Sequence, residues 1–264
     1  MCDMWGHTVN RFDLDGTRHV VHTFPDDEDP GGLGWLPDGR LLVVGMDGRC
    51  VYRLEGDRAV VHADLRDLAP WHCNDMVVAD DGTAYVTQFG FDFFGGSTSM
   101  APTTMVRVSP DGHADVVAGD LSVPNGVALT SDGRHLVVAE PGAGRITRFD
   151  VAPDGTLSGR EVFAELVPIP DAGWAAPDGI CLDADGAVWA AEPLGKRVLR
   201  VEAGGRVLDE IAFEAHPLAV CLGGSERRTL FICVAGQYHK AHRDPTPMAR
   251  IETLTVDVPG AGRP

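Results

Sequence analysis

The sequence predicts an all-β fold, a six-bladed β-propeller. Three observations carry this. A strand phrase of the form apolar-x-Arg-apolar occurs six times, 41 to 54 residues apart. A second phrase opens on a small or polar residue, runs through apolar residues and closes on an Asp-Gly turn seven positions later. No stretch sustains the 3.6-residue apolar period of an amphipathic helix. Short strands and turns at this repeat length are the signature of propeller blades. The chain of 264 residues, 44% hydrophobic, is long enough for one such domain over 1–264.

The Arg phrases are Val9-Asn10-Arg11-Phe12, Val51-Tyr52-Arg53-Leu54, Met105-Val106-Arg107-Val108, Ile146-Thr147-Arg148-Phe149, Val198-Leu199-Arg200-Val201 and Met248-Ala249-Arg250-Ile251. Alternation of this kind reads as strand with one face buried. The repeated Arg reads as a solvated strand face rather than a ligand site.

The second phrase opens at Gly31, Asn74, Asn125 and Asp178, with turns at Asp38-Gly39, Asp81-Gly82, Asp132-Gly133 and Asp185-Gly186. A degenerate fifth copy aligns Cys221 with Cys181 and so places Leu218 opposite Asp178. These are the innermost strands of their blades. The sixth copy should precede the first Arg phrase. Gly31 and Asp178 each stand 17 residues before a glycine, Gly48 and Gly195, and Gly6 is the matching glycine of the first unit. The expected opening of blade one falls roughly a dozen residues before Met1. The propeller is therefore expected to begin inside blade one, without that blade's inner strands.

Longer stretches interrupt the pattern. Phe89-Gly90-Phe91-Asp92-Phe93-Phe94-Gly95-Gly96 reads equally as a lid or as a packed hairpin tip. A loop over 168–177 leads into Asp178, a polar loop covers 238–247, and 259–264 reads as a disordered tail.

Net charge is −17 and pI about 4.8. That sign disfavours nucleic acid and anionic lipid as partners and leaves a small molecule as the expected one. No apolar run is long enough to span a membrane, and the first residues lack the pattern of a signal peptide. The six cysteines form no CxxC pair, which suits a reduced, cytoplasmic protein.

One position of the repeat forms a ring at one mouth of a propeller. Three neighbouring blades then offer oxygen donors: Asn74, Asn125 and Asp178. Two amides and a carboxylate suit one hard divalent cation, Ca²⁺, Mg²⁺ or Mn²⁺, with Zn²⁺ also accommodated. Asn or Asp before Gly is also a common turn-former, so the turn reading stands beside the site reading. The shared seven-residue register favours the site.

The segments HCNDMVV (72–78), PNGVAL (124–129) and PDGICLDADGAVWAAE (177–192) resemble the senescence marker protein/gluconolactonase/luciferin-regenerating enzyme family. The resemblance implies a six-bladed propeller with one divalent metal and lactone hydrolysis. It implies that Asn125 and Asp178 bind the metal, that Asp178 is also the acid/base residue, and that Asn74 contacts substrate or a bound water. His72 stands where sugar-acting members often carry Arg, and is read as a substrate contact that alters specificity. The family's first metal ligand is a Glu in the opening phrase of blade one, and the given sequence is expected to start after that phrase. The function expected is a divalent-metal-dependent hydrolase of small molecules, a lactonase. The alternatives are a metal-dependent isomerase or cyclase of specialised metabolism on the same fold, and a truncated binding propeller without catalysis.

Overall fold

The structure is a computed structural model that describes residues 1–170, 172–236 and 249–262. The described residues form six antiparallel sheets, one per repeat, which are the six blades of the expected all-β propeller. The chain divides into two compact units, Met1–Leu121 and Ser122–Pro264, with three blades each.

In the first unit, blade one holds β1 (Cys2–Asp3), β2 (Thr8–Phe12) and β3 (Arg18–Thr23). Blade two holds β4 (Pro30–Trp35), β5 (Leu41–Gly45), β6 (Cys50–Glu55) and β7 (Arg58–Asp64). Blade three holds β8 (Cys73–Val78), β9 (Ala84–Gln88), β10 (Thr103–Val108) and β11 (Ala114–Leu121). In the second unit, blade four holds β12 (Val127–Leu129), β13 (His135–Glu140), β14 (Arg145–Val151) and β15 (Leu157–Glu165). Blade five holds β16 (Ile180–Leu182), β17 (Val188–Glu192), β18 (Arg197–Val201) and β19 (Val207–Ala212). Blade six holds β20 (His216–Gly223), β21 (Thr229–Ala235) and β22 (Arg250–Thr255).

Strand order follows chain order in every sheet, so each blade is a meander. The Arg phrases fall on the third strand of blades two to five, and in blade six Arg250 and Ile251 begin the third of the described strands. In blade one the Arg phrase lies on β2, with one short strand before it. That agrees with an incomplete first blade, in which β1 and β2 correspond to second and third strands. Backbone conformation supports the alignment. The residue after each aligned glycine is left-handed: His7 (φ 53°), Arg49 (φ 50°) and Lys196 (φ 50°).

The apolar runs are nearly continuous because blades pack on both faces. Within blade five, Ile180, Leu182, Val188 and Ala190 pack toward blade four, against Val137, Ile146 and Phe163. The alternate residues Cys181, Trp189 and Ala191 pack toward blade six, against Val220, Leu230 and Ile232. Period-two alternation thus sorts one strand's side chains between two interfaces. Trp189 is 1% exposed, and truncating so large a buried ring costs about 3–5 kcal/mol.

The repeated Arg residues are paired with acids. Arg53 meets Glu55 at 2.6 Å, Arg107 meets Asp115 at 2.9 Å, Arg148 meets Glu161 at 3.0 Å and Arg200 meets Asp183 at 2.7 Å. They brace their own blades from a partly exposed face.

The expectation of a disordered tail is corrected for 259–262. The Pro259 carbonyl accepts from Ala184 N–H at 2.8 Å, and Ala261 N–H donates to Leu182 at 3.0 Å. Gly260 bridges Asp183. The segment is held by backbone hydrogen bonds, which a Gly/Pro-rich composition does not reveal. The loop over 238–247, with His239 and His242, lies outside the described residues, as do residues 263 and 264.

Candidate functional site

The inner strands open where the repeat placed them. In the second unit, Asn125 N–H donates to Ala139 at 3.0 Å and Asp178 N–H donates to Ala191 at 2.8 Å. Each opening is thereby fixed to the end of the second strand of its own blade. The openings are also tied to one another. Gly126 N–H donates to the Asp178 carbonyl at 3.1 Å, and Gly179 N–H donates to the Leu218 carbonyl at 2.9 Å. This repetition shows that Leu218 stands opposite Asp178, as the Cys221–Cys181 alignment required. Leu218 offers no oxygen from its side chain.

The glycines after Asn125 and Asp178 serve this close approach. A Cβ on Gly126 would lie 2.5 Å from the Asp178 carbonyl oxygen and 2.6 Å from Ile180 N. A Cβ on Gly179 would lie 2.7 Å from Ala219 Cα. Neither glycine has positive φ, whereas the turn glycines do, with φ 81° at Gly186 and 89° at Gly82. Asn125-Gly126 and Asp178-Gly179 are therefore not left-handed turns. Both Asn125 and Asp178 are half-buried.

The first unit repeats the arrangement. A Cβ on Gly31 would collide with the Asn74 carbonyl, so the blade-two opening lies against the blade-three opening. Asn74 is half-buried, and Gly31 brings no side chain. His72 precedes this opening. Its Nε2 is 3.1 Å from Asp47 Oδ1, and its ring stands edge-on to Phe94 with centroids 5.1 Å apart.

The aromatic stretch is a packed tip. Phe89 and Phe93 stack at 4.7 Å, Phe91 and Phe94 meet them edge-on, and Asp92 accepts from Gly95 N–H at 2.8 Å and Ser97 N–H at 3.1 Å. Cys73 is buried, and burial pushes its thiol up to about 12, so it is not a nucleophile at neutral pH. All six cysteines are free thiols.

Three buried carboxylates are absorbed by structure: Glu140 and Glu192 end the second strands of their blades, and Glu28 lies just before β4. Burial would raise Glu140, but hydrogen bonds from Thr147, from Ser122 N–H and from Arg145 outweigh it and leave the group below its ordinary value. Glu192 receives Ala176 N–H at 3.2 Å and Arg197. Glu28 receives Asp47 N–H and Gly48 N–H, and Tyr52 Oη at 2.9 Å. Burial, its largest influence, raises the Glu28 pKa. Sequence reading passed over Glu28 and Asp47. The only sequence signal was the acidic run before Gly31 and the Asp-Gly pair at 47–48.

Among the described residues no group of three or more His, Cys, Asp or Glu side chains is arranged so that it could hold a metal ion. Asn125 and Asp178 bring only one member of that class. No helix among the described residues is long and apolar enough to cross a membrane.

The model of the SMP-30/Gluconolactonase/LRE-like region matches residues 1–236. The chain belongs to the SMP-30/gluconolactonase/LRE-like family. A family relative named 6-deoxy-6-sulfogluconolactonase, from Pseudomonas putida, is 31% identical over 163 residues, 61% of this chain and 55% of its own. Pentonolactonase XacC from Haloferax volcanii is 27% identical over 201 residues, 75% of this chain and 65% of its own. The chain thus spans 55% to 65% of the length of these relatives. The solved structure of regucalcin from Agrobacterium tumefaciens, described as a calcium-binding protein, superposes with TM-score 0.81 at 18% identity. It covers 100% of this chain and 87% of that one, and shows the same fold.

Proposed function

We propose that the protein is a divalent-metal-dependent hydrolase of small lactones. The observation that carries this is the edge-to-edge fixation of the Asn125 and Asp178 openings, in a chain of this family. Relatives named for sugar lactones support a lactone of an aldonic acid as the substrate class.

Asn125 and Asp178 would hold the cation. Their fit is chemical: an amide oxygen and a carboxylate are hard donors, and both sit on half-buried strand openings fixed by backbone hydrogen bonds. When bound, the cation supplies Lewis acidity, polarising an ester carbonyl and easing deprotonation of water. Asp178 takes a proton from the attacking water and returns it to the alkoxide released as the ring C–O bond breaks. The product is the open hydroxy acid. Asn74 and His72 contact the substrate. A cytoplasmic location accompanies this reading and rests on the six free thiols.

Metal content and hydrolysis of a panel of aldonolactones test the proposal. Asp178→Ala should lose both bound metal and turnover. A purified variant that retains both would sink the assignment.

A second reading, an isomerase or cyclase using the same cation, is favoured by one observation. His72 stands beside a cluster of four phenylalanines, a setting that also accommodates a substrate with an apolar ring or chain. Product analysis separates the two, since only hydrolysis yields a ring-opened acid.

A further inference from the structure

His72, which the proposed function takes as a substrate contact, is paired with Asp47. Asp47 is held from three sides. Its Oδ2 accepts Asp29 N–H at 2.9 Å, its own N–H donates to Glu28 Oε1 at 3.1 Å, and its Oδ1 meets His72 Nε2 at 3.1 Å. An ionised carboxylate only accepts, so Nε2 carries a proton, and in a neutral imidazole with that tautomer Nδ1 keeps its lone pair. His72 Nδ1 is buried and has no hydrogen-bond partner among the described residues. An orphaned buried acceptor is destabilising, and a donor arriving with a ligand would recover that cost.

The surroundings decide what that donor is. The Phe94 ring stands edge-on to the imidazole, and Phe94 belongs to the packed tip with Phe89 and Phe93. Asp47 beside the ring and Asp92 in the tip are both acidic. A carboxylate or sulfonate would meet negative charge and a lone pair. A neutral hydroxyl would meet an acceptor.

We propose that Asp47 positions His72 so that Nδ1 accepts a hydrogen bond from a hydroxyl of a neutral, polyhydroxylated substrate, with Phe94 covering the ring until that substrate enters. The pair thereby selects neutral over anionic sugar lactones. The inference rests on the lactonase reading for the reacting group, but not for the tautomer or for hydroxyl binding.

The test joins three measurements. In ¹⁵N-labelled protein, His72 should show a protonated Nε2 and an unprotonated Nδ1, and Asp47→Asn should convert it to a mixture of tautomers. A protonated Nδ1 in the unsubstituted protein overturns the proposal. Calorimetric titration with anhydroglucitol, a pyranose ring with hydroxyls and no ester, should show binding weakened at least about tenfold by His72→Phe. His72→Gln should restore part of it, because the amide donates to Asp47 and accepts from the ligand. Phe94→Ala should strengthen binding. Equal affinity of the His72→Phe variant and the unsubstituted protein overturns the proposal, as does weaker binding by Phe94→Ala. On lactones, His72→Phe and Asp47→Asn should raise KM for gluconolactone more than they lower kcat, and narrow the preference over a lactone carrying a carboxylate. An equal loss on both lactones overturns it. If no lactone is hydrolysed, the proposed function fails, and the tautomer and anhydroglucitol measurements still decide the pair.

Discussion

Gly126 donates its N–H to the carbonyl of Asp178 at 3.1 Å, and the space between the two strands has no room for a methyl group. This bond joins the start of blade four to the start of blade five and fixes how the Asn125 and Asp178 openings lie together. Gly126→Ala forces a Cβ to within 2.5 Å of backbone, so the strands must separate. Overpacking of this kind costs about 1–3 kcal/mol. Chemical denaturation should show that loss. Metal titration of the folded variant should show weakened binding, because the two donors no longer sit in register.

The proposed centre makes a direct expectation about metal removal. Dialysis against EDTA should abolish lactone hydrolysis, and adding back divalent cations singly should restore it to different extents. Asp178→Asn keeps the shape but removes the only carboxylate at the openings of the second unit. It should lower kcat by about 10²–10⁴ through loss of the general base, and weaken metal binding as well. Activity that survives both EDTA and this substitution would refute the metal-dependent mechanism.

The inner-strand register was legible because each copy keeps the same distance to its Asp-Gly turn. Leu218, where both the polar residue and the Asp-Gly turn are gone, was located by the alignment of Cys221 with Cys181. The incomplete first blade was legible through Gly6, which matches the glycines standing 17 residues after Gly31 and Asp178. Asp47 and His72 were not legible as a pair. They stand 25 residues apart in chain, on elements of different blades, and only the packing of those blades brings them together. Glu28 was hidden within a run of acids that looks like an exposed turn, yet its side chain folds inward onto Gly48 and Tyr52. The aromatic stretch offered two readings because composition says nothing of whether rings face one another.

Cys73 adjoins His72 in sequence, and a Cys–His nucleophile would be an obvious misreading. The thiol is buried and its pKa is raised to about 12. Alkylation by iodoacetamide at pH 8 should leave Cys73 unmodified in the folded protein, as read by peptide mass spectrometry. Rapid modification without unfolding would contradict the burial.

Glu140 is 0% exposed and bound by Arg145, Thr147 and Ser122 N–H. Glu140→Ala strands Arg145 and the Ser122 amide and should cost about 3–5 kcal/mol. The folded pKa lies below the ordinary value of 4.5, so the folded state binds fewer protons than the unfolded state near that pH. The stability this group contributes is present above pH 4.5 and is lost as pH falls through the folded pKa. Glu140→Gln should flatten that acid-side loss in melting curves taken from pH 6 downward.

Glu28 should behave with the opposite sign. Burial raises its folded pKa above 4.5, against the hydrogen bonds from Gly48 and Tyr52 and with help from the Asp47 charge. Between the two pKa values the folded state binds more protons than the unfolded state, so stability falls as pH rises through this window. Above that window the protein bears the cost of an ionised, buried carboxylate. Glu28→Gln removes that cost, and its amide oxygen still accepts from Asp47 and Gly48. The variant should gain stability relative to the unsubstituted protein on going from pH 4 to pH 7, whereas Glu140→Gln should lose it. Melting temperatures of both variants across that range check the pair of signs together. If Glu28→Gln instead loses stability as pH rises, the Gly48 and Tyr52 hydrogen bonds to the carboxylate outweigh its burial.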